Sequence, residues 1–100
     1  MIVVFDAQLW EWDARRNDSW TFVSLPIDAS EEIRERTAGP RRGFGSLRAR
    51  VIVGASTWKT SIFPDAARDC YVLPIKRHVR EAEALAVGDT TTVTVELLDV

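Results

Sequence analysis

The chain has 100 residues, of which 46% are hydrophobic, 28% charged and 9% aromatic. This composition is typical of one soluble globular domain, and it excludes a disordered chain, a collagen-like chain and a bundle of membrane helices. The net charge is −2, so no overall positive field attracts nucleic acid or anionic lipid. We therefore expect a single domain over residues 1–100 that does not contact a membrane.

The chain begins with the pattern of a β-hairpin. Apolar and polar side chains alternate over residues 2–12, which predicts a half-buried strand with Phe5 on the inner face. Trp10 and Trp12 fall on the opposite face of this strand. Residues 19–25 are rich in β-branched and aromatic side chains, so they predict a second strand that follows a polar turn.

A short helix and a third strand follow the hairpin. Asp28 and Glu31 have the spacing of a capping box, which predicts a helix over residues 29–37. Ile33 is the only large apolar side chain of this helix, so the helix is expected to lie shallowly on the surface. Alternation over residues 44–53 predicts a strand with small and branched apolar side chains on its inner face.

The second half of the chain repeats this order of elements. Strands are predicted over residues 55–63, 70–74 and 90–98, because β-branched and apolar side chains recur there with a period of two. Between the last two strands, an apolar stripe over residues 75–86 predicts a second helix, for which Gly88 supplies a C-terminal cap.

Two Leu-Pro-Ile triplets, at residues 25–27 and 73–75, are 48 positions apart in the two halves. This offset predicts two copies of one hairpin–helix–strand unit. Neither copy can bury its apolar face alone, so the copies should pair about a pseudo-twofold axis. The expected fold is mainly β: a small six-stranded β-barrel with two short helices.

Residues 73–95 resemble the swapped-hairpin DNA-binding domains of the AbrB/SpoVT type. The whole chain resembles more closely a bacterial family of unknown function, often fused to a YdeI/OmpD-associated (bacteriocin-protection) domain. The matching stretches are residues 20–26, 48–51, 58–64 and 73–89. This resemblance implies a double-split form of the six-stranded barrel, and it implies no established activity.

The sequence lacks the usual constellations of a catalytic or metal site. With one histidine, His78, and one cysteine, Cys70, a structural zinc site is excluded. We interpret Cys70 as a small core residue, and Ser61 has no evident base beside it. We therefore expect a protein that is not an enzyme and that has no cofactor and no metal.

Four tryptophans in a chain of this length, close to hydroxyl and guanidinium groups, indicate a shallow binding groove. We expect it to bind a small acidic ligand or a protein partner. The alternative is that the tryptophans cover the ends of the barrel and the undersides of the helices. The predicted ligand-binding residues are Trp10, Trp12, Arg48, Arg50, Trp58, Thr60 and Ser61.

The arginines support an alternative function, nucleic-acid binding. Residues 34–50 contain six Arg and one Glu, a net charge of +5 within an acidic chain. Guanidinium groups suit phosphate, although the same side chains also suit a solvated face paired with neighbouring glutamates. For this alternative the predicted residues are Arg41, Arg42, Arg48, Arg50, Arg77 and Arg80.

The expected location is the cytoplasm. Cys70 has no second cysteine with which to form a disulfide, whereas small extracellular domains usually depend on disulfides. The N-terminal residues lack the features of a signal peptide, and no stretch is long and apolar enough to cross a membrane. The expected oligomeric state is a monomer or a weak dimer.

Overall fold

A computed structural model describes residues 1–12, 20–37 and 45–98 and has a mainly β fold with two short helices. The mainly β character and the presence of both helices are thus confirmed. The strands are β1 (Ile2–Gln8), β2 (Trp10–Trp12), β3 (Trp20–Ser24), β4 (Leu47–Val53), β5 (Ser56–Asp65), β6 (Cys70–Pro74) and β7 (Thr90–Leu97). The helices are α1 (Ile27–Arg36) and α2 (Arg77–Ala82).

The seven strands form a curled half-barrel sheet in the order β1-β7-β4-β5-β6-β3-β2, and all neighbouring pairs are antiparallel. β5 bridges the two parts of the sheet. Its residues 56–62 pair with β4, and its residues 63–65 pair with β6. A single long strand therefore belongs to both parts and holds them together.

The predicted strand over residues 2–12 is divided at Leu9, so seven strands are found where six were expected. β1 pairs with β7, whereas β2 pairs with β3. At the division, the Leu9 N–H donates to the Asp89 carbonyl at 2.9 Å, and the Leu9 carbonyl accepts from the Gly88 N–H at 2.9 Å. The chain therefore changes its pairing partner at Leu9 without an intervening loop.

The core lies on the concave side of the curled sheet, where the alternation of the strands places it. In β4 and β7, the inward positions are buried and the positions between them are exposed or half-buried. The prediction that apolar side chains of both strands point inward is confirmed. Their buried residues are Leu47, Ala49, Val51, Val53, Val93, Val95 and Leu97.

The α1 helix begins two residues earlier than the capping box predicts. Pro26 occupies the N-cap position without a side-chain cap, and the Asp28 carboxylate accepts from the Ala29 N–H at 2.8 Å inside the first turn. The predicted cap was therefore wrong. The helix is anchored by two buried residues: Ile33 enters the core, and the Ser30 hydroxyl accepts from the Tyr71 N–H at 3.0 Å.

The α2 helix is shorter than predicted, because it ends at Ala82 and Gly88 does not cap it. The carboxylate of Glu83 instead joins the end of the helix to the turn between β4 and β5. It accepts from the Ala55 N–H at 3.2 Å and from the Ser56 hydroxyl at 2.6 Å. Gly54 lies in this turn with a φ of +57°, and a Cβ atom there would collide with that carboxylate.

Candidate aromatic binding site

Four aromatic side chains share one face of the β2–β3 pair. In the strand register Trp10 lies opposite Phe22, and Trp12 lies opposite Trp20. Residues two apart on a strand point to the same side of the sheet, so all four rings meet on one surface. The short hairpin thereby concentrates three of the four tryptophans of the chain in one place.

Three of the four rings form a continuous stack. The Trp10 and Phe22 centroids are 5.1 Å apart with an interplanar angle of 28°, and the Trp20 and Phe22 centroids are 6.1 Å apart at 18°. The Trp10 indole N–H donates to the Ser24 hydroxyl at 2.9 Å, which fixes the orientation of that ring. Such stacking contributes about 0.5–1.5 kcal/mol per pair beyond burial.

The turn between β5 and β6 supplies a cation to this stack. The Arg68 guanidinium carbon lies 3.8 Å from the centroid of the Trp10 ring. The same guanidinium donates to the Asp65 carboxylate at 3.0 Å, and that carboxylate also accepts from the Ala67 and Arg68 N–H groups. Asp65 therefore fixes both the turn and the cation beside Trp10.

Between the aromatic surface and this turn lies a groove of about 580 Å³. Trp12 and Trp20 are each 52% exposed, although each is a large apolar ring. Small-molecule sites are commonly concave and aromatic with a few polar groups, and this groove has that character. It is lined by Trp10, Trp12, Trp20, Phe22, Pro64, Asp65, Ala66, Ala67 and Val72.

Of the predicted ligand-binding residues, the groove brings together only Trp10 and Trp12. Trp58 lies in β5 opposite Val51, half-buried against the core. Thr60 is half-buried on the same side of β5 as Trp58. These positions place Trp58 and Thr60 toward the inside of the sheet and outside the set of residues that line the aromatic groove.

The remaining predicted residues lie on the outer face of β4 and β5. Arg48 is exposed opposite Ser61, and Arg50 lies opposite Lys59. Arg50 also donates to the Glu96 carboxylate of β7 at 2.6 Å, which neutralises much of its charge. The two arginines thus form a convex surface of the sheet, separate from the lining of the aromatic groove.

The other arginines of the nucleic-acid prediction are dispersed. Arg77 is exposed on α2, and the Arg80 side chain donates to the Ile75 carbonyl at 3.1 Å. Arg41 and Arg42 lie outside the described residues. No interaction joins Arg77 or Arg80 to the outer-face arginines within the part of the chain that the structure describes.

Sequence reasoning missed Trp20, Phe22, Asp65 and Arg68. A signal for the two aromatic residues was present, because they are spaced two apart in the predicted partner strand of Trp10 and Trp12. Asp65 and Arg68 lie between the strands predicted over residues 55–63 and 70–74 and belong to neither. Their contact with Trp10 depends on how β5, β6 and β3 adjoin, which no local pattern reports.

The structure thus defines a small mainly β domain with a stacked aromatic groove on its surface. The chain belongs to a family described as a domain of unknown function, DUF1905, whose model matches residues 5–95. A comparison with curated proteins finds no match.

Two further features concern metals and membranes. Over residues 1–12, 20–37 and 45–98, no three His, Cys, Asp or Glu side chains group as ligands for a metal ion. In the same ranges, neither helix has the length and apolar character needed to span a bilayer. Cys70 is buried in β6, where it packs as a small core residue.

Proposed function

We propose that this protein is a non-enzymatic binding module and that the aromatic groove is its recognition surface. The observation that carries the proposal is the half-exposure of both Trp12 and Trp20 beside an ordered aromatic stack. Leaving two indoles in water forgoes apolar burial, at about 25 cal/mol for each Å² of surface. A ligand or partner that covers them recovers this burial.

The chemistry of the groove favours a small ligand with a flat apolar body and an acidic group. The faces of Trp12 and Trp20 suit a planar body, since stacking needs no directional partner. Arg68 does not itself line the groove, but its guanidinium lies over Trp10, which does, and Asp65 occupies only part of its five N–H donors, so Arg68 is the cation we propose for the acidic group. A protein partner that inserts an aromatic side chain beside a carboxylate satisfies the same requirements.

A ligand screen tests this proposal. Aromatic carboxylates are expected to raise the midpoint of thermal unfolding, and the matching neutral carboxamides are expected to raise it less. The double variant Trp12→Ala, Trp20→Ala should weaken binding at least tenfold, because the stacking surface is removed. Isothermal titration and differential scanning fluorimetry measure both effects.

The matched control for this screen is Trp58→Phe, since Trp58 lies outside the groove lining and should leave affinity unchanged. A second variant, Arg68→Gln, removes the cation and should abolish the preference for carboxylates over carboxamides. Equal binding by wild type and the double tryptophan variant would contradict the proposal. A complete lack of stabilisation by either compound class or by aromatic–acidic peptides would also contradict it.

The second proposed function is nucleic-acid binding, for which the exposed Arg48 beside the Arg50–Lys59 row is the favourable observation. This function predicts a gel shift at 50 mM salt that weakens steeply as salt rises. Binding releases cations condensed on the phosphates, and this release becomes less favourable as the bulk salt concentration increases. Arg48→Ala should weaken the shift severalfold, whereas Glu31→Gln serves as a control in an exposed acidic site. Absence of any shift with micromolar protein would eliminate this function.

We also propose that the curled sheet closes as the six-stranded double-split barrel implied by the resemblance. Two features support closure: Leu9 alone separates β1 from β2, and β5 pairs with both β4 and β6. Counting β1 and β2 as one bent strand makes six strands in cyclic order.

Two further expectations stay proposals. The lone Cys70 supports a cytoplasmic location, and residues 73–95 support a relationship to AbrB-type domains.

A further inference from the structure

The outer edge of β1 carries backbone groups that are free to bond another strand. In an antiparallel pair, alternate residues direct their N–H and C=O groups toward the partner. The Met1 carbonyl accepts from the Leu97 N–H of β7 at 2.9 Å, so the groups of Ile2 and Val4 point away from β7. Nothing in the described part of the chain bonds to these outward groups.

A groove of about 490 Å³ separates this edge from α1. Residues 1–4 form one wall, and one face of the helix forms the other. Positions three and four apart in a helix lie on the same side, and the four groove-lining residues of α1 are linked by these spacings, so a single face lines the groove. The helical wall consists of Asp28, Ala29, Glu32 and Arg36.

The helical wall is acidic. Glu32 binds the Arg36 guanidinium at 3.1 Å, so these two charges cancel and Asp28 keeps its negative charge. The whole of α1 carries four carboxylates and two guanidinium groups, and the second guanidinium, on Arg34, pairs with Asp69 at 3.4 Å. A strand beside this helix therefore meets a field that favours cations.

We propose that the groove between β1 and α1 binds an extended peptide in which β-branched and basic residues alternate. Peptide residues opposite Ile2 and Val4 would share the outer face with these side chains, which are 62% and 63% exposed. The basic residues between them would point toward the helical wall, where Asp28 keeps its negative charge. Main-chain bonds to the β1 edge provide affinity, and the alternating side chains provide specificity.

The position of α1 distinguishes a free peptide from a second copy of the chain. Neighbouring strands lie about 4.8 Å apart, so a strand paired with Ile2 and Val4 enters the space in front of the helix. The β1 strand of a second copy is joined to β7 on its other side. That attached sheet needs more room beside α1 than a single free strand does, which favours a free peptide.

The test uses a short synthetic peptide in which lysine and valine alternate. NMR measures the rate of amide hydrogen exchange at each residue of the full chain, with and without this peptide. Binding is expected to slow exchange at Ile2 and Val4 at least tenfold. Val3 and Phe5 already face β7, so their exchange should change much less. A peptide of equal composition with its lysines and valines in separate blocks is the control.

Two substitutions at the site sharpen the test. Val4→Pro removes the outward N–H and leaves the β7 ladder intact, because proline is tolerated where the N–H of an edge strand faces outward. It should weaken peptide binding at least tenfold, whereas Val4→Thr should not. Asp28→Asn keeps an acceptor for the Ala29 N–H and removes the charge, so binding should weaken severalfold.

Three results would overturn the proposal: equal binding of the blocked peptide, full binding by Val4→Pro, or protection of other residues without protection of Ile2 and Val4. Slow exchange at these two amides in the free protein that depends on protein concentration would indicate pairing of two copies instead. The exchange measurement on the wild-type chain decides the matter even if Val4→Pro proves unstable. None of these readouts depends on the aromatic groove.

Discussion

Replacing Ile33 with alanine is expected to lower the free energy of unfolding by about 2–5 kcal/mol. Ile33 is fully buried and is the only large apolar side chain that α1 places in the core. A ten-residue helix is marginal by itself, so its attachment to the sheet depends on this contact and on Ser30. Urea unfolding followed by far-UV circular dichroism measures the change.

The matched control is Ile27→Ala in the same helix. Ile27 is 54% exposed, so its truncation should change stability by no more than about 0.5 kcal/mol. Because the same atoms are removed in both variants, the difference isolates the burial of Ile33. Similar midpoints for the two variants would show that α1 is not anchored through the core.

The strands were predictable because burial on one face imposes a period of two on the sequence. In β4 and β7 every buried inward position is apolar, and, apart from Ile52, hydroxyl or charged groups occupy the outward positions. A shift of one residue would bury Arg48 and Arg50 and expose Val51. The cost of burying those charges leaves only one orientation of the strand available to the chain.

The division of the first strand was not predictable from its side chains. The alternation continues through Leu9, which is buried as its position in the pattern requires. What changes there is the hydrogen-bonding partner of the backbone, from β7 to β3. Side-chain periodicity reports which face is buried, and it carries no information about which strand lies alongside.

The candidate site was half predictable for the same reason. Trp10 and Trp12 were placed on an outer face, which the exposure of Trp12 bears out. Whether Trp58 lies beside them depends on the order of the strands in the sheet. Only Pro64 and Asp65, at the end of β5, line the aromatic groove, and Trp58 lies earlier in that strand. Register and strand order are set by contacts distant in sequence, so local patterns leave them open.

Leu9→Ala is expected to destabilise the protein by about 2–5 kcal/mol, because the substitution leaves a cavity where the two parts of the sheet meet. Leu9 is 1% exposed and belongs to the core cluster, and its backbone bonds to Gly88 and Asp89. Ile2→Ala in β1 is the control, since Ile2 is 62% exposed and its truncation should change stability little. Urea unfolding of both variants measures the difference.

The same residue tests whether the sheet closes into one barrel. In a closed barrel Leu9 lies within a continuous bent strand, so its amide should exchange as slowly as that of Val93 in β7 and only through global unfolding. Leu9→Ala should then speed exchange in β3 and β7 together. If Leu9 instead exchanges quickly and the variant loosens only β1, the β2–β3 pair is joined to an open sheet, and the closed form is ruled out.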